Sequence, residues 1–378
     1  MKYVWQRKTW PHFTWQMEPL AELLGQARLA QGKLISHIES LGFDLGQEAQ
    51  ANLITEETLT TSAIEGENLN PASVRSSVAR HLGLPTVGLP PAERHIDGLV
   101  EVLLDATSKY AQPLTLPRIK GWHAALFPTG YSGIHQIQTG RWRDSDPMQI
   151  VSGPIGREKV HFEAPPSKYM EKEMGAFLSW WKKSLKDEKV EGILRAGIAH
   201  FHFVSIHPFE DGNGRLARAL TDMALAQDEK MAIRFYSLSS QIMAERNAYY
   251  KTLERSQKGD GDLTEWLLWF VSCLERSIHR SRKIMEDTLQ KAYFWRQHGQ
   301  TSLNERQRKV INRLLDAGKE GFEGGLTTRK YVSLTQVSRA TAFREIDDLV
   351  TKKILIANNS GGRSASYRLF DSGGVESD

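Results

Sequence analysis

The sequence predicts a mainly α-helical protein with one β-hairpin in its central part and a small separate domain at its C-terminal end. Apolar residues recur at the helical spacing of three and four through most of the chain. Segments rich in proline and glycine interrupt these helical stretches, and one short segment has the residue types of strands. The 378 residues exceed what one hydrophobic core usually supports, so we expect two or three packed domains.

Composition excludes several classes of protein. An apolar content of 40% is enough for ordinary globular folding, and the single cysteine, Cys273, rules out an intramolecular disulfide. The first residues contain no apolar run of the kind found in signal peptides. No window has the roughly twenty uninterrupted apolar residues that a membrane span requires. We therefore expect a cytoplasmic protein that does not enter membranes.

Two breaks divide the chain into three predicted domains. The first break is GLPTVGLPP at residues 83–91, where prolines and glycines separate two helical stretches. The second is QHGQTSLN at residues 297–304, which follows a long helical stretch. We expect an N-terminal helical extension over residues 1–90, a central domain over 91–296 and a C-terminal domain over 301–370.

The predicted hairpin lies in the central domain, at residues 146–166, DPMQIVSGPIGREKVHFEAPP. Two short runs of strand-forming residues flank a Gly-Pro-Ile-Gly turn in this segment. The pattern indicates two antiparallel strands.

The segment with the most chemical information is HPFEDGNGRLAR, residues 207–218. Apolar helical periodicity precedes it and resumes after it, so we expect a loop that joins two helices. Gly212, Asn213 and Gly214 then lie just before the second helix, where backbone N–H groups lack partners and the helix dipole is positive. Because glycine lets an anion approach these groups closely, the loop is suited to bind phosphate.

Four side chains complete this predicted site. Arg215 and Arg218 are three residues apart, on one helical face, from which their guanidinium groups can bind several phosphates. Asp211 supplies the oxygen ligand that Mg²⁺ needs when it bridges the phosphates of a nucleotide. His207 is the natural proton acceptor.

The segment also resembles the signature of the Fic family, enzymes that transfer the AMP part of ATP to a hydroxyl side chain of a target protein. Every specified position of that signature, H-P-F-x-D-G-N-G-R-x-x-R, is filled here. The resemblance implies a Fic-type helical core whose hairpin, residues 146–166, is a flap that pairs with the backbone of the target. An ordinary surface hairpin is the alternative. ATP would be the substrate, and the sequence does not identify the target protein.

The resemblance implies a role for each residue of the motif. The base that deprotonates the target's Ser, Thr or Tyr hydroxyl is His207, and the residue that holds Mg²⁺ on the phosphates is Asp211. The anion hole is formed by the backbone of residues 212–214 and by Asn213, and the two arginines bind the outer phosphates. Phe209 has a structural role, because we expect it to pack in the core and fix the loop.

A second resemblance lies upstream, in TTSAIEGENLNPASV at residues 60–74. Thr61, Glu65 and Gly66 match the inhibitory pattern of the family, and we expect the glycine to stop a helix. In the family this glutamate pairs with the second arginine of the motif, here Arg218, and blocks productive placement of the γ-phosphate. The resemblance therefore implies self-inhibition by Glu65.

The N-terminal segment WQRKTWPHFTW is rich in aromatic residues, which could form a binding surface. We expect them to be core residues instead. The segment resembles the N-terminal extension of a bacterial Fic subgroup. His200 and His202 point apart on a predicted helix, so we assign them to the core rather than to a metal site.

Residues 301–370 predict three helices followed by two strands, a pattern that resembles winged helix-turn-helix domains. The third helix would be the recognition helix, and the wing would lie between the strands. The segment holds 13 Lys and Arg against 7 Asp and Glu, which suits a DNA partner. A winged helix that binds protein or dimerises is the alternative. The candidate DNA contacts are Ser338, Arg339, Thr341, Arg344 and Arg363.

Other functions stay open at this point. The same site could remove AMP from a protein, with Glu65 orienting the attacking water. A transcriptional regulator whose core only senses nucleotide is a further alternative, but such a protein would have a broken motif, whereas His207 is present. A phosphate cradle does not read the base, so UTP or GTP could replace ATP. In a homodimer, Glu65 of one copy could meet Arg218 of the other.

Overall fold

The computed structural model describes residues 2–39, 43–86, 88–154, 156–316, 324–358 and 365–370. Contacts divide the chain into two compact units, residues 1–281 and 282–378. The described residues are mainly helical, and their strands form only two-stranded antiparallel hairpins, so the predicted fold class is confirmed. No helix in these ranges is long and apolar enough to cross a membrane.

Helices make up most of the first unit. Its α-helices are α1 (Glu18–Glu39), α2 (Phe43–Ile64), α3 (Pro71–His81), α4 (Arg94–Ser108), α5 (Leu116–Leu126), α6 (Met170–Ser184), α7 (Gly192–Ile206), α8 (Asn213–Glu229), α9 (Leu238–Ala244), α10 (Arg246–Gln257) and the start of α11 (Thr264–Gln297). Short 3₁₀ helices lie at Val4–Gln6 and Ser167–Tyr169. The strands are β1 (Tyr131–Ser132), β2 (His135–Gln136), β3 (Gln149–Ser152) and β4 (Lys159–Glu163).

The central helix of the first unit is α7, in which every residue from Ile193 to Ile206 is buried. A helix that is apolar on nearly all sides must be covered by neighbours on all sides, and α8 packs along it. The two histidines of α7 are core residues, as expected. His200 hydrogen-bonds with the hydroxyls of Thr221 and Tyr249, each at 3.0 Å.

The aromatic N-terminal segment packs against this core rather than forming a free surface. The rings of Trp10 and Phe13 meet the ring of His202 edge-on, with centroids 5.1 and 5.3 Å apart. The Trp5 indole N–H donates to the backbone oxygen of Glu163 at 2.7 Å. These three aromatic residues are half-buried and pack against the core rather than lie within it.

The hairpin predicted at residues 146–166 is present. Strands β3 and β4 pair antiparallel, with Ile150 opposite Phe162 and an irregularity in the register after Ile150. Phe162 is buried and its ring lies edge-on to that of Tyr3, with centroids 5.2 Å apart. This contact fixes one face of the hairpin to the N-terminal segment.

The second unit has the order of elements that the sequence predicts. After α11 come α12 (Glu305–Asp316), α13 (Thr328–Thr335), α14 (Arg339–Thr351), β5 (Leu355–Ala357) and β6 (Tyr367–Leu369), and the two strands pair antiparallel. Apolar residues of all three helices form its core, among them Ile311, Tyr331 and Ile346. Ser338 caps α14, since its hydroxyl accepts from the Thr341 N–H at 3.1 Å. Arg339 and Arg344 are exposed, and Arg363 lies outside the described residues.

Candidate active site

The loop between α7 and α8 carries the motif, and its two ends have unusual backbone conformations. His207 ends α7 in the left-handed region, with φ 51° and ψ 60°. A non-glycine residue adopts this conformation infrequently. Gly212 caps α8 with φ 80°. Because α8 begins at Asn213, Gly214 lies in its first turn rather than before it, and the free N–H groups of the helix start face the loop.

Two residues of the motif hold the loop in shape. The Asn213 side chain donates to the Phe209 oxygen at 2.8 Å and accepts from the Phe209 N–H at 3.0 Å. Phe209 is fully buried and stacks on the ring of His123, with centroids 4.0 Å apart, which confirms its expected core role. The side-chain amide of Asn213 is therefore occupied by its hydrogen bonds with Phe209. Of the donors on Asn213, only the backbone N–H is oriented by the start of α8.

His207 is held in one tautomer. Its Nδ1 lies 3.3 Å from the Val204 carbonyl oxygen, which can only accept, so Nδ1 carries the proton and Nε2 the lone pair. Burial lowers the pKa of His207 to about 4. The imidazole is neutral at neutral pH and can take up a proton at Nε2.

Arg143 is a component of the site that the sequence does not reveal. Its Nε donates to the His207 carbonyl oxygen at 2.8 Å, and its Nη1 donates to Asp146 at 3.0 Å. Its Nη2 donates to the Pro165 carbonyl oxygen. The side chain is buried and connects the His207 loop to both ends of the β3–β4 hairpin.

Arg218 is buried and bound to the end of α2. Its Nε donates to the Thr61 hydroxyl at 2.6 Å, and its Nη2 donates to the Thr61 carbonyl oxygen at 2.8 Å and to Glu65 Oε1 at 2.7 Å. A Cβ built on Gly214 would lie 2.1 Å from the same Glu65 oxygen. The Glu65 carboxylate thus occupies the space directly over the start of α8.

Arg215 has acidic partners on both sides. Its Nη1 lies 3.2 Å from Glu67 Oε2, and its Nη2 lies 3.6 Å from Asp211 Oδ2. Its guanidinium carbon lies 4.9 Å from the centre of the Phe127 ring. The predicted set of residues is therefore brought together: both arginines, His207 and Asp211 surround the start of α8.

Two donors at this place lack partners. Arg215 Nε and Arg218 Nη1 are buried and have no hydrogen-bond acceptor among the described residues. A buried cationic N–H group without an acceptor costs free energy. Two such groups beside a helix N-terminus form a site that an anion would complete.

Asp211 offers a carboxylate at the edge of this cradle. Its Oδ2 accepts from the Ser132 hydroxyl at 2.5 Å, and the side chain is 40% exposed. Its backbone oxygen accepts from His123 Nε2 at 3.2 Å, while His123 Nδ1 accepts from the Gly140 N–H at 2.9 Å. Burial lowers the pKa of His123 to about 4, so this ring is neutral as well.

The donor set around Asp211 is suited to Mg²⁺. No group of three or more His, Cys, Asp or Glu that could hold a metal occurs among the described residues. Mg²⁺ does not need such a cage, because it usually binds one or two carboxylates and takes its other ligands from phosphates and water. The accessible carboxylate of Asp211 next to an anion cradle fits that requirement.

The sequence alone does not reveal four residues of the site: His123, Ser132, Arg143 and Glu67. The first three reach the loop from positions at least 64 residues away in the chain and match no pattern. Only Glu67 could have been found from the sequence, because it stands two residues after Glu65 in the same acidic segment. The candidate DNA contacts belong to the second unit.

Comparison with known proteins gives two family matches, both within the first unit. Residues 113–225 match the Fic/DOC family, and residues 3–84 match a domain of unknown function, DUF4172. The chain is 29% identical over 223 residues to the protein adenylyltransferase Fic of Nematostella vectensis, covering 58% of this chain and 46% of that one. Over 232 residues it is 29% identical to the protein adenylyltransferase fic-1 of Caenorhabditis elegans, covering 58% and 39%. The chain thus spans less than half the length of these relatives.

Two solved structures share the fold. A Fic family protein from Desulfovibrio desulfuricans G20 superposes with a TM-score of 0.55 at 17% identity, over 97% of this chain and 99% of that one. A signalling protein with a Fic domain from Bacteroides thetaiotaomicron gives a TM-score of 0.52 at 17% identity, over 68% and 95%. The comparisons thus show a match to the Fic/DOC family over residues 113–225 and a fold shared with these two structures.

Proposed function

We propose that this protein is a self-inhibited protein adenylyltransferase, which transfers AMP from ATP to a Ser, Thr or Tyr hydroxyl of a target protein or of itself. The observation that carries the proposal is the position of a neutral His207 beside a helix start where two buried arginine N–H groups lack acceptors. The relatives named protein adenylyltransferase support ATP as the nucleotide.

The transfer step requires a base, an anion cradle and little other chemistry. His207 Nε2 accepts the proton of the target hydroxyl, and the hydroxyl oxygen forms a bond to the α-phosphorus. The bond from the α-phosphorus to the oxygen that bridges to the β-phosphorus breaks, and pyrophosphate leaves. The N–H groups at the start of α8 and the two arginines, Arg215 and Arg218, stabilise the negative charge.

Asp211 would hold Mg²⁺ at the edge of the cradle. When bound, the ion neutralises phosphate charge. The Ser132 hydroxyl and the Gly212 N–H donate to the two carboxylate oxygens of Asp211 and keep its side chain oriented.

Glu65 would inhibit the transfer in two ways. Its carboxylate engages Arg218, and it fills the space over Gly214 that a phosphate would need. Both effects come from one negative group placed at the positive end of α8. Thr61 supports the pairing of Glu65 with Arg218, because its hydroxyl accepts from the same guanidinium.

Incubation with Mg²⁺ and α-labelled ATP tests this function. The wild type, Glu65→Gly and Glu65→Gly/His207→Ala are compared, and label is read on the protein itself and on a cell lysate. We expect the label to rise with the first substitution and to vanish with the second. Absence of label from all three folded variants would contradict the proposal.

We further propose that the second unit is a winged helix, residues 301–370, that contacts DNA through α14. The exposed Arg339 and Arg344 at the start of that helix support this role, together with the turn after α13, where Gln336 has φ 56°. Arg344→Ala should weaken binding to duplex DNA and lower the slope of log affinity against log salt by about 1. Arg296→Ala, at an exposed position of α11, is the control. An equal loss of DNA affinity in both variants would contradict a role of α14.

A further inference from the structure

The end of α2 carries two carboxylates in a fixed arrangement. The Gly66 N–H donates to the Ala63 oxygen and the Glu67 N–H to the Ser62 oxygen, both at 3.0 Å. These are the two hydrogen bonds of a Schellman motif, and they require a left-handed residue, which is Gly66 at φ 89°. The motif places Glu65 on one side of the glycine and Glu67 on the other.

Each carboxylate contacts a different arginine of α8. Glu65 Oε1 lies 2.7 Å from Arg218 Nη2, and Glu67 Oε2 lies 3.2 Å from Arg215 Nη1. Both arginines of the predicted phosphate cradle are therefore paired with the same helix end. The inhibitory pattern in the sequence includes only the first of these pairs.

The pair of Arg215 and Glu67 is asymmetric in its exposure. The Arg215 side chain is 9% exposed, whereas that of Glu67 is 40% exposed and has His95 Nε2 at 3.7 Å. Phe127 and Asp211 also contact the Arg215 guanidinium, with the ring centre at 4.9 Å and Oδ2 at 3.6 Å, so we expect it to keep its place when Glu67 leaves. A phosphate group carries the same charge sign and accepts the same N–H donors as the carboxylate.

We propose that Glu67 is a second inhibitory residue, which competes directly with the outer phosphates of the nucleotide for Arg215. The inference rests on the proposed function, because it assumes that Arg215 binds those phosphates. It differs from inhibition by Glu65 in the arginine that is blocked. A chain that lacks Glu65 still has Arg215 occupied, so its nucleotide site is only half released.

The competition predicts a dependence on the number of phosphates. ATP and ADP have outer phosphates and need Arg215, whereas AMP does not. Removing the charge of Glu67 should therefore strengthen the binding of ATP and ADP and leave that of AMP unchanged. A residue that only held α2 in place would act through Glu65 and would have no effect once Glu65 is gone.

Calorimetric titration with ATP, ADP and AMP in the presence of Mg²⁺ tests the inference. All variants carry His207→Ala, so that ATP is not consumed during the titration. In that background Glu65→Gly/Glu67→Gln should bind ATP and ADP about three- to fivefold tighter than Glu65→Gly, as expected for a partly exposed ion pair. Glu93→Gln is the matched control, since Glu93 also lies 3.7 Å from His95 but does not contact Arg215.

Three outcomes would overturn the inference: an unchanged affinity for ATP, an equal gain for AMP, or an equal gain from Glu93→Gln. Transfer assays separate this failure from that of the proposed function. If Glu65→Gly labels a target and Glu67→Gln adds nothing to binding, only the role of Glu67 is rejected. If no variant binds a nucleotide or transfers label, both proposals are rejected.

Discussion

Arg143 connects the two parts of the candidate site, the His207 loop and the β3–β4 hairpin. Replacing it by methionine keeps much of the volume but leaves the carbonyl oxygens of His207 and Pro165 without their donor. We expect Arg143→Met to lower the free energy of unfolding by about 2–4 kcal/mol, because buried acceptors are left unpaired. In the Glu65→Gly background, transfer should fall by roughly tenfold or more, since the base is displaced. Urea unfolding and labelling measure the two effects.

The control for this substitution lies two residues away. Arg141 is exposed, so Arg141→Met should change the free energy of unfolding by no more than about 0.5 kcal/mol and should leave transfer unchanged. Equal effects of the two substitutions, or a fully active Arg143→Met protein, would show that the contact with His207 does not position the base.

For single residues, the sequence predicts contacts within one motif better than contacts between distant segments. His207, Asp211 and the two arginines lie in twelve consecutive residues, so one loop and one helix turn determine their arrangement. The pairing of Glu65 with Arg218 spans 153 residues and was predicted only through the family resemblance. Arg143 has no such pattern, and only the fold brings it to His207.

The C-terminal end of α2 is the structural element that determines where both carboxylates point. An alanine at Gly66 would have to keep φ near 89°, which costs a non-glycine residue about 1 kcal/mol or more. We expect Gly66→Ala to displace the helix end and to raise transfer in a chain that still contains Glu65 and Glu67. Labelling with α-labelled ATP measures this release.

A second helix end provides the control for this substitution. Gly83 ends α3 at φ 69°, and the Gly83 and Leu84 N–H groups donate to the Arg80 and Ala79 oxygens in the same motif. A Cβ at either glycine meets nothing within 4 Å, so both substitutions change only the backbone. Gly83→Ala should cost similar stability without raising transfer. A rise in both variants would indicate general loosening rather than release of the carboxylates.

Elements were predicted most accurately where local residues determine them. The break at residues 83–91 falls between α3 and α4, and the Gly-Pro-Ile-Gly segment lies between β3 and β4. Turn residues and helix stops act within a few positions, so their effect can be recognised in the sequence. The start of α8 was displaced by two residues from the expectation, since Gly212 alone acts as the cap.

The arrangement of the first unit as a whole depends on contacts that periodicity cannot predict. The run of apolar residues in α7 indicates a buried helix, but it does not tell which elements cover it. One part of the cover is the N-terminal segment, where Phe13 packs on Phe201 with ring centroids 5.5 Å apart. Such packing between distant segments also encloses His202 of α7, whose ring meets that of Phe13.

Three fully buried histidines make the first unit sensitive to acid. His123, His200 and His202 are at most 1% exposed, and burial lowers their pKa values to about 4, 3 and 3. The unfolded chain binds protons on these residues near pH 6.5, whereas the folded chain does not. Burial of these rings therefore costs no stability from protonation above pH 6.5, and the free energy of unfolding falls as the pH drops from 6.5 toward 4, by up to about 1.4 kcal/mol per pH unit for each histidine.

His202 isolates this effect from hydrogen bonding, because neither of its ring nitrogens has a hydrogen-bond partner among the described residues. We expect His202→Leu to reduce the pH dependence of the unfolding free energy between pH 6.5 and 4 by the equivalent of one proton. Tryptophan fluorescence reports mainly the first unit, which contains nine of the ten tryptophans. The exposed His12→Leu should leave the slope unchanged. An unaltered slope in His202→Leu would mean that His202 already carries its proton in the folded core, which its aromatic surroundings without an acceptor argue against.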